Sequence, residues 1–405
     1  MINAIDVAAE RANQRNALVA GFLGWTLDAF DFFVLTFVLE AVAKDFKVSI
    51  LAMTYTILAS LAMRPVGALI FGLMADRYGR RMPLMIDVVF YSVIEVLSGL
   101  APNYTVFFVL RLLYGIGMGG EWGVGASLVM ESVPAKWRGV LSGLLQEGYA
   151  LGNLLAAVAY APVYQHWGWR ALFFLGGLPA LLSLFIRAKV KEPEAWQETR
   201  SKDWSGYWHT ILRHGKLFLY LVILMSMMNF ISHGTQDLYP TFLQLGRHFD
   251  PHLKATAVIV SMLGAIVGGI AFGLYSDRIG RRRAMVIAAL LGILVIPLWI
   301  FAPSTALIMA GAFAMQFMVQ GAWGVIPAHI NELSPNELRG FFPGFAYQLG
   351  VLIASPSSSI EAAVARRLGY ANAMGILGAV ALAVGSIVIA LGPEAKGIRF
   401  GKAAA

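Results

Sequence analysis

From Asn229 to Thr241 the chain reads N-F-I-S-H-G-T-Q-D-L-Y-P-T, inside a long apolar run where polar side chains are costly. Asn229, Ser232, His233, Gln236, Asp237 and Thr241 stand at i, i+3, i+4, i+7, i+8 and i+12. On a helix that spacing lines them along one face roughly 18 Å long. A polar stripe on a hydrophobic helix needs a water-filled cavity or a hydrated partner, so the stripe predicts the lining of a path.

Charges recur in other apolar segments. Asp28 and Asp31 stand three apart in G-W-T-L-D-A-F-D-F-F, on one helix face. Arg64 opens R-P-V-G-A, Arg111 opens R-L-L-Y-G-I-G-M-G-G, Glu121 follows, and Gln146 and Glu147 are adjacent. Charges at this depth pair with one another or face a cavity. Counted from the span ends, Asp31 and Arg111 fall toward the extracellular side, and Asp28, Arg64, Glu121 and Glu147 nearer the middle. Two clusters at matching depth suggest charge compensation. A carboxyl that moves between an apolar and an arginine-flanked setting loads and releases a proton. Asp28, Asp31, Glu121 and Glu147 are therefore proton-site candidates, with Arg111 as their tuner. Arg64 offers a bidentate fork to a carboxylate substrate, or else forms a permanent internal ion pair. Glu121, among Gly119, Gly120 and Gly123, has helix packing as its alternative.

These residues must be held by membrane-spanning helices. Of 405 residues 58% are hydrophobic and 13% charged, far from a soluble average. Twelve helical spans are predicted, at about 17–42, 50–75, 82–101, 104–130, 139–162, 168–187, 217–246, 254–276, 284–302, 305–331, 340–363 and 370–391. The division is a six-helix half over 1–187, a linker over 188–216, a second half over 217–392 and a tail over 393–405. The net charge of +8 fits basic cytoplasmic loops better than a nucleic-acid surface. With no cysteine, disulfides, iron–sulfur clusters and thiolate zinc sites are excluded. No removable signal peptide is expected in the polar first sixteen residues. Placing both termini in the cytoplasm puts 22 of the 31 Lys and Arg residues on that side and 7 on the other, as the positive-inside rule requires.

The chain also repeats itself. Gly72-Leu-Met-Ala-Asp76-Arg-Tyr-Gly79-Arg80-Arg81 returns 201 residues later as Gly273-Leu-Tyr-Ser-Asp277-Arg-Ile-Gly280-Arg281-Arg282. The same offset carries Glu131, Pro134, Arg138 and Gly139 onto Glu332, Pro335, Arg339 and Gly340, and Gly120, Trp122 and Gly123 onto Gly321, Trp323 and Gly324. Two parallel six-helix repeats are a known transporter plan, so the fold class is an all-α membrane protein of twelve transmembrane helices.

The doubled G-x-x-x-D-R-x-G-R-R loop resembles motif A of the major facilitator superfamily, and the resemblance spans nearly the whole chain. It implies a latch that shuts the cytoplasmic side, in which Arg80, Arg81 and Arg138 bridge to Glu131, and Arg281, Arg282 and Arg339 to Glu332, with Asp76 and Asp277 ending helices beside them. Topology signalling is the alternative role of each arginine. Arg111 resembles that superfamily's motif B, associated with proton coupling. The stripe N-x-x-S-H-x-T-Q-D-x-x-x-T is similar to the signature of Jen-type lactate/pyruvate permeases of the sialate:proton symporter family. D-A-F-D-F-F is similar to that family and to aromatic-acid:proton symporters. The resemblance implies that His233 and Asp237 couple proton to substrate, while Asn229, Gln236 and Thr241, with Arg64 and Gln348, shape the site. Short termini and a compact linker depart from the fungal pattern and suit a bacterial inner-membrane relative.

The expected function is symport of a small monocarboxylate with protons by alternating access, in a monomer. Protons are the coupling ion; no cofactor, metal, catalytic residue or nucleic-acid partner is expected. The alternatives are another acid (sialate, a dicarboxylate, a benzoate-like compound) and a membrane sensor, for which neither terminus is long enough to hold a signalling domain. A drug:proton antiporter fits less well, because Arg, His and Gln suit anions. His329 beside Glu332 reads as structural, and Gln316, Gln320 and Trp323 as cavity lining or helix bridging. Asn103-Tyr-Thr105 is a weak glycosylation sequon.

Overall fold

The computed structural model describes residues 4–200 and 205–401, so linker residues 201–204 and tail residues 402–405 lie outside the description. Every regular element among the described residues is helical. The first four spans are α1 (Ala4–Asp45), α2 (Ile50–Tyr78), α3 (Arg81–Gly99) and α4 (Tyr104–Ser132). The fifth is α5 (Arg138–Gln146) and then α6 (Gly148–Leu175), which runs past a turn at Gly168 (φ 74°) into the sixth span, completed by α7 (Ala180–Lys189). Short helices α8 (Glu194–Thr199) and α9 (Ser205–Arg213) occupy the linker. The seventh span is α10 (Gly215–Gln236), α11 (Tyr239–Thr241) and a π-helical turn at Phe242–Gly246. Next come α12 (Pro251–Ile279), α13 (Arg281–Ile300) and α14 (Thr305–Leu333). The eleventh span is α15 (Phe342–Ala354) with α16 (Ser357–Leu368), and the twelfth is α17 (Tyr370–Leu391).

Nine stretches of the described residues are long and apolar enough to cross a membrane on length and composition. The remaining three spans are α4, which carries Arg111 and Glu121, and the two broken spans α5/α6 and α15/α16. Both ends of the described chain lie at the same end of the bundle. Asn16 donates to the Lys189 carbonyl at 2.9 Å and Asn13 accepts from the Lys191 amide at 2.8 Å, while Arg138 donates to the Ile398 carbonyl at 2.9 Å.

The sequence repeat is also a repeat of contacts. Ser49 and Asp250, 201 apart, cap the starts of α2 and α12 by accepting from Ala52 and Leu253 amides. Asn103 and Ser304 do the same for α4 and α14, which is the role the structure gives to the sequon asparagine. Gly79 and Gly280 end α2 and α12 at φ 100° and 104°, a region that favours glycine. The packing of α2 on α4 and of α12 on α14 repeats too. A Cβ added at Gly67 would lie 1.7 Å from the Ile116 carbonyl oxygen, and one at Gly268 2.1 Å from that of Phe317. Nothing but hydrogen fits there, so Gly67→Val is expected to cost about 2 kcal/mol or more. A thermal melt of the detergent-purified protein checks this; an unchanged melting temperature would contradict the packing.

The sequence predicts one continuous helix over 217–246, and the structure corrects it. Pro240 has no amide to give the Gln236 carbonyl, so α10 stops at Gln236 and the chain resumes with a different phase. Phe242 bonds back to the Leu238 carbonyl at 2.8 Å, and a π turn follows. The stripe is therefore one face only from Asn229 to Gln236, with Asp237 at its broken end and Thr241 beyond it. The predicted spans over 139–162 and 340–363 are likewise split, after Gln146 and after Ala354. The split has a mechanical meaning. The segments α5 and α15 reach across the two halves, α5 packing on α12 and α14, and α15 on α2 and α4 as well as on α10 of its own half. Beyond the breaks, α6 packs chiefly on α1 and α3, and α16 on α17 and α10, each within its own half.

Candidate functional site

The shut end of the bundle is built from paired contacts related by the repeat. Asp76 accepts from the Gly340 and Phe341 amides at 2.7 and 3.1 Å, and Asp277 from Gly139 and Val140 at 3.0 and 3.2 Å. Each aspartate thus ends its own helix and caps the facing half's broken span. Glu131 receives Arg80 at 2.9 Å from its own half and Arg339 at 3.2 Å from the other. Glu332 receives Arg281 at 2.9 Å and Arg138 at 3.0 Å in the mirror arrangement. Both glutamates are fully desolvated, which makes these pairs unlike exposed salt bridges: removing one partner strands a buried charge.

Arg81 and Arg282 do not join this carboxylate bridge. The Arg81 guanidinium donates to the Arg187 carbonyl, and Arg282 to the Gly392 carbonyl at 2.8 Å. Their backbone amides meet Glu192 and Glu394, the latter at 2.9 Å. Both glutamates escaped the sequence reading; Glu192 stands just before Pro193 and Glu394 just after Pro393, following spans six and twelve. Phe400 adds a further tie: its ring lies 3.8 Å from the Arg138 guanidinium carbon and 3.7 Å from that of Arg339. His329 is buried in the same region with both ring nitrogens unpartnered.

Above that end the halves meet around Arg64, which is 4% exposed and whose Nε and Nη2 have no hydrogen-bond partner. Among the described residues no carboxylate lies within 4 Å of it, so a permanent ion pair is not what holds it. Its guanidinium carbon is 5.7 Å from the Tyr347 ring centroid. Gln348, next along α15, donates to the Gly119 carbonyl at 3.4 Å while its Oε1 stays unpartnered. Gly119 in turn packs on the Arg64 carbonyl, so α2, α4 and α15 converge here. Aromatic rings wall the place: Trp122 against Tyr347 at 4.4 Å, Trp25 against Tyr149 at 5.3 Å, and Trp323 against Tyr347 at 5.9 Å.

On the stripe, His233 Nδ1 is 3.0 Å from Asp237 Oδ2, and Ser358 of α16 donates to that oxygen. Glu361, one turn on from Ser358, is buried with both oxygens unpartnered. Gln236 donates to Gln316 at 2.8 Å, placing Gln316 as a bridge between α10 and α14. Asn229 is buried and donates to the Met225 carbonyl at 2.8 Å. Thr241 stands half-buried beyond the break, away from the face of the other five.

The N-terminal acids have partners that the sequence reading did not name. Arg111 pairs with Glu95 of α3 at 2.5 Å rather than with Asp31, whose two oxygens are buried and unpartnered. Asp28 accepts from Tyr114 at 3.5 Å, and Tyr114 also donates to the Asp28 carbonyl at 2.9 Å. Glu121 is fully buried with both oxygens unpartnered, against Gly24 of α1. Glu147 stands apart from these, at the break of span five against Gly269 of the other half. Asp87, Glu95 and Glu361 were missed, though the i, i+4, i+8 spacing of Asp87, Tyr91 and Glu95 is visible in the sequence.

Two six-helix repeats are joined at one end by a duplicated cluster of ion pairs, with unpartnered polar groups at the centre. The chain belongs to the major facilitator superfamily, whose family model matches residues 21–354 and 238–399. It is a multi-pass membrane transporter and not an enzyme, of a family that needs no cofactor. The sialic acid transporter NanX of Escherichia coli (strain K12) is 32% identical over 83% of this chain and 84% of its own length. A carboxylic acid transporter protein homolog of Saccharomyces cerevisiae is 29% identical over 87% of this chain, which spans 61% of that protein. The solved proton:xylose symporter XylE superposes with a TM-score of 0.76 at 19% identity, over 96% of this chain and 98% of its own, a likeness of fold.

Proposed function

We propose that this chain is a proton-coupled symporter of a small monocarboxylate, such as lactate or pyruvate, working by alternating access as a monomer in a bacterial inner membrane with both termini cytoplasmic. The observation that carries it is Arg64: a buried guanidinium with two unpartnered nitrogens and no protein carboxylate beside it suits a carboxylate ligand. The relatives named for sialic acid and carboxylic acids point to the same chemistry. In this reading the halves 1–187 and 217–392 rock about the site, with 188–216 as linker and 393–405 as tail. Latch residues Asp76, Arg80, Glu131 and Arg138, with Asp277, Arg281, Glu332 and Arg339, hold the cytoplasmic side shut. His233 and Asp237 take the co-transported proton, so the loaded carrier is closer to neutral when it reorients.

A second reading has one observation of its own. The Trp25, Trp122, Tyr149 and Tyr347 rings around Arg64 give stacking surface that a three-carbon acid does not fill, which favours a larger or aromatic acid. Proteoliposomes separate the two. Labelled lactate is expected to enter faster with the outside acidic, and unlabelled sialate, dicarboxylate and benzoate compete in order of their fit. Asp237→Asn and His233→Ala are expected to insert normally and lose the acid stimulation. Uptake independent of pH for every acid tried would sink the symport reading, and intact coupling in both variants would remove the stripe from it.

A further inference from the structure

Asp87 is fully buried in the third span, and neither carboxyl oxygen has a hydrogen-bond partner. It faces α4: a Cβ added at Gly117 would lie 3.5 Å from Asp87 Oδ1, and Glu121 stands one turn on along that helix. Tyr91 follows one turn on, fully buried with an unpartnered hydroxyl, and packs on the same α4 glycine, its Cβ 2.8 Å from where a Cβ on Gly117 would lie. Glu95 completes this face of α3 and holds Arg111. Asp28, Asp31, Asp87, Glu95 and Glu121 are all within 1% of complete burial. Of the cations only Arg111 is paired among them, and Arg64 reaches Asp28 alone from outside the group. Five ionised carboxylates in that setting would cost far more than a folded domain can offset. Most of them therefore hold protons.

They are also ordered along the membrane normal. On α3 Glu95 lies roughly 12 Å farther from the latch than Asp87, and on α4 Arg111 lies roughly 15 Å farther than Glu121, at 1.5 Å per residue. The file runs from Arg111, Glu95 and Asp31 through Tyr91, Tyr114 and Asp28 to Glu121 and Asp87. It lies inside the N-terminal half, beside the Arg64 site and not within it.

We propose that Asp87 is a proton carrier, the latch-side end of a proton path along the buried carboxyl groups of the N-terminal half. The proposal rests on the proton-coupled reading given above. Asp87 gives the proton up when the latch opens and water reaches it.

The test uses the full chain in two measurements. In infrared titration of the purified protein, Asp87→Asn is expected to remove intensity from the protonated-carboxyl stretching band at neutral pH. In proteoliposomes the same variant is expected to keep acid-for-acid exchange while gradient-driven accumulation falls about tenfold or more, with Asp87→Glu restoring part of it. An unchanged infrared band overturns the proposal, as does a variant whose accumulation keeps the wild-type pH profile. Loss of exchange in Asp87→Asn and Asp87→Glu alike makes the residue structural and overturns it too. If the wild type itself shows no proton coupling, the symport reading fails and takes the path with it. A coupled wild type beside an equally coupled Asp87→Asn sinks the path alone.

Discussion

Replacing Arg64 by alanine is expected to weaken binding of the transported acid by about 2–5 kcal/mol, from tens to thousands of times in affinity, the usual loss when one member of a desolvated charge pair is removed. The fold should survive, because Arg64 forms no ion pair within the described protein whose loss would strand a second charge. Arg64→Lys is expected to recover little of the affinity. A lysine keeps the charge but presents a point donor where two guanidinium nitrogens stand free. Ligand-induced thermal stabilisation checks both variants: the wild-type melting temperature rises with ligand, and those of the variants do not. An Arg64→Ala protein stabilised as strongly as wild type would show that the anion binds elsewhere, with the Gln348 and Tyr347 region reduced to packing.

Glu332→Gln is expected to have the larger effect on conformation. Glu332 is fully desolvated and holds Arg281 at 2.9 Å and, across the halves, Arg138 at 3.0 Å. Neutralising it leaves two buried guanidinium groups sharing a weaker partner, at a cost to the shut state of about 3–5 kcal/mol. A shift of that size moves a two-state equilibrium by a hundredfold or more. The chain has no cysteine, so a single reporter carries no background. Ala328→Cys, fully buried at the shut interface, should resist a membrane-impermeant thiol reagent in the otherwise wild-type protein and react quickly with Glu332→Gln present. Equal labelling rates would mean that the latch does not set the conformation. Because Glu131 repeats the arrangement, Glu131→Gln should act in the same direction.

The repeat was the most legible part of the chain, because its signal is a register and not a propensity. Asp76 and Asp277, Glu131 and Glu332, Arg138 and Arg339 meet as pairs because each half must close on the other at one shared end. Spans also read well, since length and hydropathy are what a bilayer selects. The breaks did not. Pro240 lies inside a segment whose composition argues for continuity, and whether a proline kinks, ends or restarts a helix depends on neighbours that can take up the freed carbonyl. The Gln146/Glu147 break has no proline to announce it. Depth counting along single helices put Asp31 and Arg111 at one level and named no partner, because rotation about each axis decides it, and that rotation gives Arg111 to Glu95. Asp87 and Glu95 could have been found: the spacing argument applied to Asn229–Gln236 fits the third span equally well.

Phe400 has a practical consequence. Its ring touches an arginine from each half, and Ile398 accepts from one of them, so the chain's last described turn is part of the closed assembly. A purification tag or fluorescent partner fused after residue 405 would pull on that clasp and shift the resting balance of the carrier before any substrate arrives.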